Sequence, residues 1–259
     1  MSTIATARMI IEVEGEGPPL IFVHGLGGSS NIFQTLLAAA RGNRCIRPDL
    51  PGSARSRLPH ERLTIDLMVD AVIEAAKSLG AYPAHFAGHS MGTIVCQHIA
   101  AQMPEAVLSL TLFAPILEPG DAARQRIRER ASAARERGMG DVADAVAEAG
   151  LSSRTKADNP LAIAFLRESH MRQDAEGFAA TCEALAEAQA AELRLIRCPV
   201  LLVTGRDDTV APPGAAQAMA DKLKNAGLQV IDDCGHWTPI EKPAECSRHF
   251  ASFLRRLNH

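Results

Sequence analysis

Gly88-His89-Ser90-Met91-Gly92 is the stretch whose reading decides the fold. It spells G-x-S-x-G between an apolar run, Ala84-His85-Phe86-Ala87, and a helix-compatible stretch from Thr93 to Ala101. A Ser on so tight a strand-to-helix turn has its hydroxyl pushed out of the sheet. The flanking glycines answer two needs: a strained backbone, and neighbouring chain too close for a Cβ. By itself the motif also fits an ordinary loop that happens to hold a Ser. The rest of the chain separates the two readings.

A nucleophilic Ser needs a base, a group that orients the base, and an oxyanion hole. His236 is the candidate base. It lies in Cys234-Gly235-His236-Trp237, just past the short apolar run Gln229-Val230-Ile231, and the next helix opens within Pro239–Pro243. The orienting acid is sought after Cys198–Gly205, which reads as a buried parallel strand because it is almost continuously apolar. That strand runs into Arg206-Asp207-Asp208, and open α/β sheets place functional groups past the carboxyl ends of their strands. Asp208 is assigned the orienting role and Asp207 that of a turn residue capping local N–H groups. For the oxyanion hole, the strand Pro19–Val23 ends in His24-Gly25-Leu26-Gly27-Gly28, a turn suited to presenting the Leu26 N–H. The second donor is the N–H of Met91, directly after the Ser. His24 and Gly25, with His89 and Trp237, are expected to support the loops or the pocket.

The order Ser90, Asp208, His236 is the α/β-hydrolase order and not that of the two common protease arrangements. The chain resembles the α/β-hydrolase superfamily over essentially its whole length. The resemblance rests on His24-Gly25, on Asp49-Leu50-Pro51-Gly52, on the Gly88–Gly92 elbow, on Gly205–Asp208, and on Gly235-His236 with Glu241 and Pro243 behind. It implies Ser90 as nucleophile, Asp208 as orienting acid and His236 as general base. It says much less about the substrate, because one fold hosts many chemistries.

Composition agrees. The 259 residues are 47% hydrophobic, enough for a sizeable core. A formal net charge of −3 argues against nucleic acid or an anionic membrane as the main partner. Six Cys with no C-x-x-C spacing read as plain thiols in a reducing compartment. Met1–Arg8 has no basic region followed by an apolar core, and no apolar run approaches a membrane span. A cytoplasmic protein with no metal and no organic cofactor is expected.

Strands and helices alternate, with one interruption. Strands are expected at Met9–Glu14, Pro19–Val23, Arg44–Asp49 and Val107–Phe113, with an amphipathic helix over Leu63–Leu79 ended by Gly80. From 118 to 195 the sequence is rich in Ala, Arg and Glu and reads as helices near 121–137, 141–149, 160–172 and 176–191. Residues 1–117 and 196–259 then form the core, and 118–195 a helical cap that controls access to Ser90. The Arg124–Arg137 stretch invites an anion site. However, 118–195 holds 11 Lys plus Arg against 14 Asp plus Glu, a balance of −3, so a solvated helix face is the reading adopted.

The expected chemistry is acyl transfer to water on a small-molecule ester or lactone. Ser rather than Asp at the elbow speaks against dehalogenase or epoxide-hydrolase chemistry. Asp174–Leu185 is similar to the last cap region of 3-oxoadipate enol-lactonases, which makes an enol-lactone the favoured substrate. Those enzymes tend to carry Leu where this chain has His89 and Gly where it has Thr93. Carbon–carbon bond hydrolase and cofactor-free perhydrolase activities of the same fold stay open. A non-catalytic small-molecule receptor using the same pocket is the alternative of another class. Oligomeric state is not encoded in any motif.

Overall fold

The computed structural model describes residues 1–257. Its strands are β1 Ser2–Ala5, β2 Ile10–Glu14, β3 Pro19–Val23, β4 Arg44–Asp49, β5 Ala84–His89, β6 Val107–Phe113, β7 Val200–Gly205 and β8 Ala226–Ile231. They form one eight-stranded sheet in the order β1-β2-β4-β3-β5-β6-β7-β8. Strands β1, β2 and β4 pair antiparallel, and every pairing from β4 to β8 is parallel. Every residue of β5 and β7 is buried, which is why those segments read as apolar runs without alternation. The edge strands β1 and β8 are largely exposed or half-buried. Neither carried a strong sequence signal: β1 was not expected, and β8 was expected only over its last three residues.

The helices are α1 Ile65–Ser78, α2 Met91–Gln102, α3 Asp121–Arg137, α4 Met139–Gly150, α5 Ser153–Asp158, α6 Pro160–Met171, α7 Ala175–Ala186, α8 Pro213–Ala220, α9 Thr238–Glu241 and α10 Pro243–Leu257. Thr64 starts α1 by accepting a hydrogen bond from the Leu67 N–H. Pro243 separates α9 from α10, because its ring removes a donor and disfavours a helical residue before it. Phe250 of α10 is fully buried in an aromatic cluster. Its ring lies 6.0 Å from those of both Phe22 and Phe113, and Phe22 is 4.9 Å from Phe33.

Five helices, α3–α7, separate β6 from β7 in the chain, where four were expected. The short α5 is the addition, started by the Ser152 hydroxyl accepting from the Thr155 N–H. Helix α7 ends five residues before the expected limit. The Ala-rich sequence would continue, but tertiary contacts win. The Arg124 guanidinium takes the carbonyls of Ala186 and Ala188, at 2.6 and 2.8 Å, and turns the chain toward β7.

Because β3 to β8 are parallel, their carboxyl ends share one edge. The loops after β3, β5, β7 and β8 gather there, and they carry every residue singled out above as base, acid, nucleophile or oxyanion donor.

Candidate functional site

Ser90 sits between β5 and α2 with φ 52° and ψ −120°. For a residue with a Cβ this is strained backbone, costing on the order of 1–3 kcal/mol. The surroundings hold it there. The Ser90 N–H donates to the Phe113 carbonyl at 3.0 Å, and the Thr93 hydroxyl donates to the Ser90 carbonyl at 2.6 Å. The motif glycines serve by size. A Cβ on Gly92 would lie 2.0 Å from the Val23 carbonyl oxygen, and one on Gly88 would lie 2.6 Å from the Gly92 carbonyl oxygen. The positive φ falls on Ser90 itself, not on these two glycines.

His236 Nε2 lies 2.8 Å from Ser90 Oγ, and its Nδ1 lies 2.9 Å from Asp208 Oδ2. A carboxylate only accepts, so Nδ1 carries the proton and Nε2 is free to accept from the Ser90 hydroxyl. All three residues are buried, with Ser90 only 7% exposed. The second Asp208 oxygen accepts from the N–H groups of Val210 and Ala211, both at 2.8 Å. Burial pushes the Asp208 carboxyl up. The neighbouring His236 ring and the two backbone N–H groups outweigh that and hold it below the ordinary carboxylate range. Asp207 is exposed, and the His236 ring bonds Asp208 instead. The capping task expected of Asp207 is performed by Asp208, whose two oxygens serve the turn and the ring at once.

The loop after β3 is organised by His24. Leu50 N–H donates to His24 Nε2 at 2.9 Å, which places the proton on Nδ1. Nδ1 donates to the Gly25 carbonyl at 2.8 Å, and the Gly28 N–H reaches the same oxygen at 3.0 Å. In a trans peptide the N–H points opposite to the carbonyl. Fixing the Gly25 oxygen therefore fixes the direction of the Leu26 N–H. Among the described residues, neither the Leu26 nor the Met91 N–H finds an acceptor in the protein. Burial lowers the His24 pKa and keeps the ring neutral.

Beneath this loop, Asp49 accepts from the Ser30 N–H and from Arg55 Nε, both at 2.7 Å. That pairing locks the β3 and β4 loops together.

His89 and Trp237 stack with centroids 4.9 Å apart, and His89 lies 5.3 Å from His236. His89 Nε2 donates to the His236 carbonyl at 3.0 Å. Burial, and then the charge of a protonated His236, push its pKa down to about 3. His89 and Thr93 are wholly buried.

Glu241 holds the base loop. Its carboxylate accepts from the N–H groups of Gly235 at 3.0 Å, Trp237 at 3.1 Å and Ser152 at 2.9 Å. The first two flank His236, and the third belongs to the segment between α4 and α5.

Two further residues adjoin the site without any signal in the sequence. His170 of α6 is buried edge-on to Trp237, 5.4 Å away, with its ring against Gly27. Gln173, just after α6, hydrogen-bonds the carbonyls of Gly27 and Gly28. Both come from the inserted helices, whose placement over the site no local motif encodes. Among the described residues no group of three His, Cys, Asp or Glu is placed to hold a metal, and no helix is long and apolar enough to cross a membrane.

A hydroxyl bonded to a carboxylate-oriented imidazole, near two unoccupied N–H donors, is equipped for nucleophilic attack on a carbonyl. The chain is similar to 3-oxoadipate enol-lactonase 2 of Acinetobacter baylyi, at 28% identity covering 95% of this chain and 91% of that protein. It is likewise similar to a 2-hydroxymuconate semialdehyde hydrolase of a Pseudomonas species, at 28% identity covering 96% and 91%. Among solved structures, a malate-bound thermophilic esterase from Thermogutta terrifontis matches with a TM-score of 0.90 at 26% identity, covering 99% of this chain and 97% of that one. Residues 18–243 match the family described as the alpha/beta hydrolase fold, and the chain belongs to that family.

Proposed function

We propose that this hydrolase cleaves a carboxylic ester or lactone of a small molecule through an acyl-enzyme on Ser90. The observation that carries the reading is the continuous chain Asp208–His236–Ser90, with contacts of 2.9 and 2.8 Å. His236 Nε2 takes the hydroxyl proton as Ser90 Oγ attacks the carbonyl carbon. Negative charge gathers on the former carbonyl oxygen, where the N–H groups of Leu26 and Met91 receive it. Asp208 keeps the imidazole in the reactive tautomer and stabilises the imidazolium. The imidazolium then returns the proton to the departing alcohol or enolate. Water, deprotonated by the same His236, repeats the attack and frees Ser90.

Residues 118–195 act in this reading as a cap, seated on the site through His170, Gln173 and Ser152. The enol-lactone preference draws support from the Acinetobacter relative and from Asp174–Leu185. All six cysteines are free, which favours a reducing compartment such as the cytoplasm.

Hydrolysis of short p-nitrophenyl esters and of a set of lactones, by wild type and Ser90→Ala in parallel, tests the proposal. Wild-type turnover that the variant lacks is expected, with lactones preferred. A well-folded wild type inert on the whole set would overturn it and leave carbon–carbon cleavage or ligand binding.

A further inference from the structure

The Leu26 N–H is held from one side by the core, through His24 and the Gly25 carbonyl. The other side of the same loop is held by the inserted helices. Ser169 Oγ donates to the Gly27 carbonyl at 3.1 Å. The two hydrogens of the Gln173 amide are shared among three carbonyls, those of Gly27 and Gly28 at 3.2 and 3.3 Å and that of Ser169 at 3.1 Å. Its oxygen accepts from the Ala54 N–H at 2.9 Å, in the loop after β4. One amide, only 7% exposed, thus ties three backbone segments together.

Packing alone does not explain the residue. A cavity of about 340 Å3, lined in part by Ser30, Ala54, Phe165, Ser169 and Gln173, runs along this seam. Apolar contact is incomplete there, and directional bonds span the gap. Gly27 itself has φ 68° and accepts the His170 ring so closely that a Cβ would lie 2.2 Å from Nε2. The loop is therefore clamped by two neighbouring residues of one helix end and by the glutamine just after it.

We propose that Gln173 is a positioning residue for the oxyanion hole. Through the Gly27 and Gly28 carbonyls it sets the aim of the Leu26 N–H, so the hole is complete only while the inserted helices are seated on the core. The inference rests on the reading of Ser90 as nucleophile.

Gln173→Met removes donor and acceptor at similar length. Gln173→Glu keeps an acceptor for the Ala54 N–H but sets oxygen against the two glycine carbonyls. Each variant is assayed for ester hydrolysis and for inhibition by a trifluoromethyl ketone, which forms a tetrahedral adduct on a serine. Misaim of one donor is expected to lower kcat about tenfold to a hundredfold in both, with KM within about twofold. Ketone affinity should fall by the same factor. Activity of Gln173→Glu relative to wild type should recover as pH falls, because a protonated carboxyl donates again.

Unchanged kcat, a loss confined to KM, or lowered kcat with undiminished ketone binding would overturn the inference. Should Gln173→Met not fold, Gln173→Glu and the milder Ser169→Ala give the same readouts. A wild type silent on every ester would overturn the underlying reading and this inference with it. An active wild type with unaffected variants sinks only the latter.

Discussion

The sheet-edge loops and the inserted helices both reach the surroundings of Ser90, and they are held by different means. In the loops, main-chain atoms and steric exclusion fix position. Gly92 leaves no room for a Cβ against Val23, Asp208 binds two backbone N–H groups, and the Gly25 carbonyl is held twice. In the insert, side chains do most of this, beside one main-chain bond from the His236 N–H to the Gly150 carbonyl at 2.8 Å. Most charged contacts there lie at the surface, such as Arg135 with Glu176 and Glu183. Only a few buried polar groups, Gln173 and Ser152 among them, join the insert to the loops. Chemistry placed by backbone tolerates little change anywhere, whereas chemistry steadied by side chains concentrates its sensitivity in a few residues.

The largest expected effect falls on the loops. Asp208→Asn should cost about 10⁴-fold in kcat, by leaving the imidazole in the wrong tautomer. Asp207→Asn, one residue away but exposed, should stay near wild type. A reversed pair of results in the steady-state assay would reassign the acid.

Next comes acid sensitivity, followed through one buried ring from each region. His89 is held down to about 3 chiefly by burial, and His170 to about 4 by burial and the charge of Arg130. Both titrate at an ordinary 6.5 when unfolded, so below that pH the unfolded chain binds protons that the folded chain refuses. Stability is thus lost as pH falls from 6.5 toward 4. At pH 5 the cost is about 2 kcal/mol for each ring. Denaturant melts at pH 7 and 5 check this. Equal stability at both would mean that the rings are not held neutral.

Glu241→Ala tests the bridge between the regions. It strips acceptors from both sides of His236 and from Ser152. We expect a loss of about 3 kcal/mol, together with reduced kcat. Loss of stability with full kcat would show that the base loop holds itself. The smallest effect belongs to the insert surface, where Arg135→Ala should cost under about 1 kcal/mol because its partners are solvated. A larger drop in Tm would mean that surface pairs hold the insert together.

How much was legible follows the same division. The elbow, the two strand-end loops and the order of Ser90, Asp208 and His236 were readable because each depends on residues adjacent in sequence. Strands β5 and β7 were readable because burial on both faces demands an apolar run. Helix α5 and the early end of α7 were not, since a single cap and a distant Arg124 decide them. His170 and Gln173 were invisible for the same reason. Their proximity to Gly27 is a property of how α6 docks, and no spacing in the chain records it. Asp207 and Asp208 were separable by position, but the sharing of one carboxylate between turn and ring emerged only from geometry.

The most direct test of Ser90 as nucleophile is covalent capture. The folded protein is treated with a fluorophosphonate and its peptides are examined by mass spectrometry. One phosphonyl group per chain, on Ser90 and nowhere else, with parallel loss of ester turnover, is the expected result. Full turnover with Ser90 unmodified, or labelling at another residue that abolishes it, would contradict the mechanism.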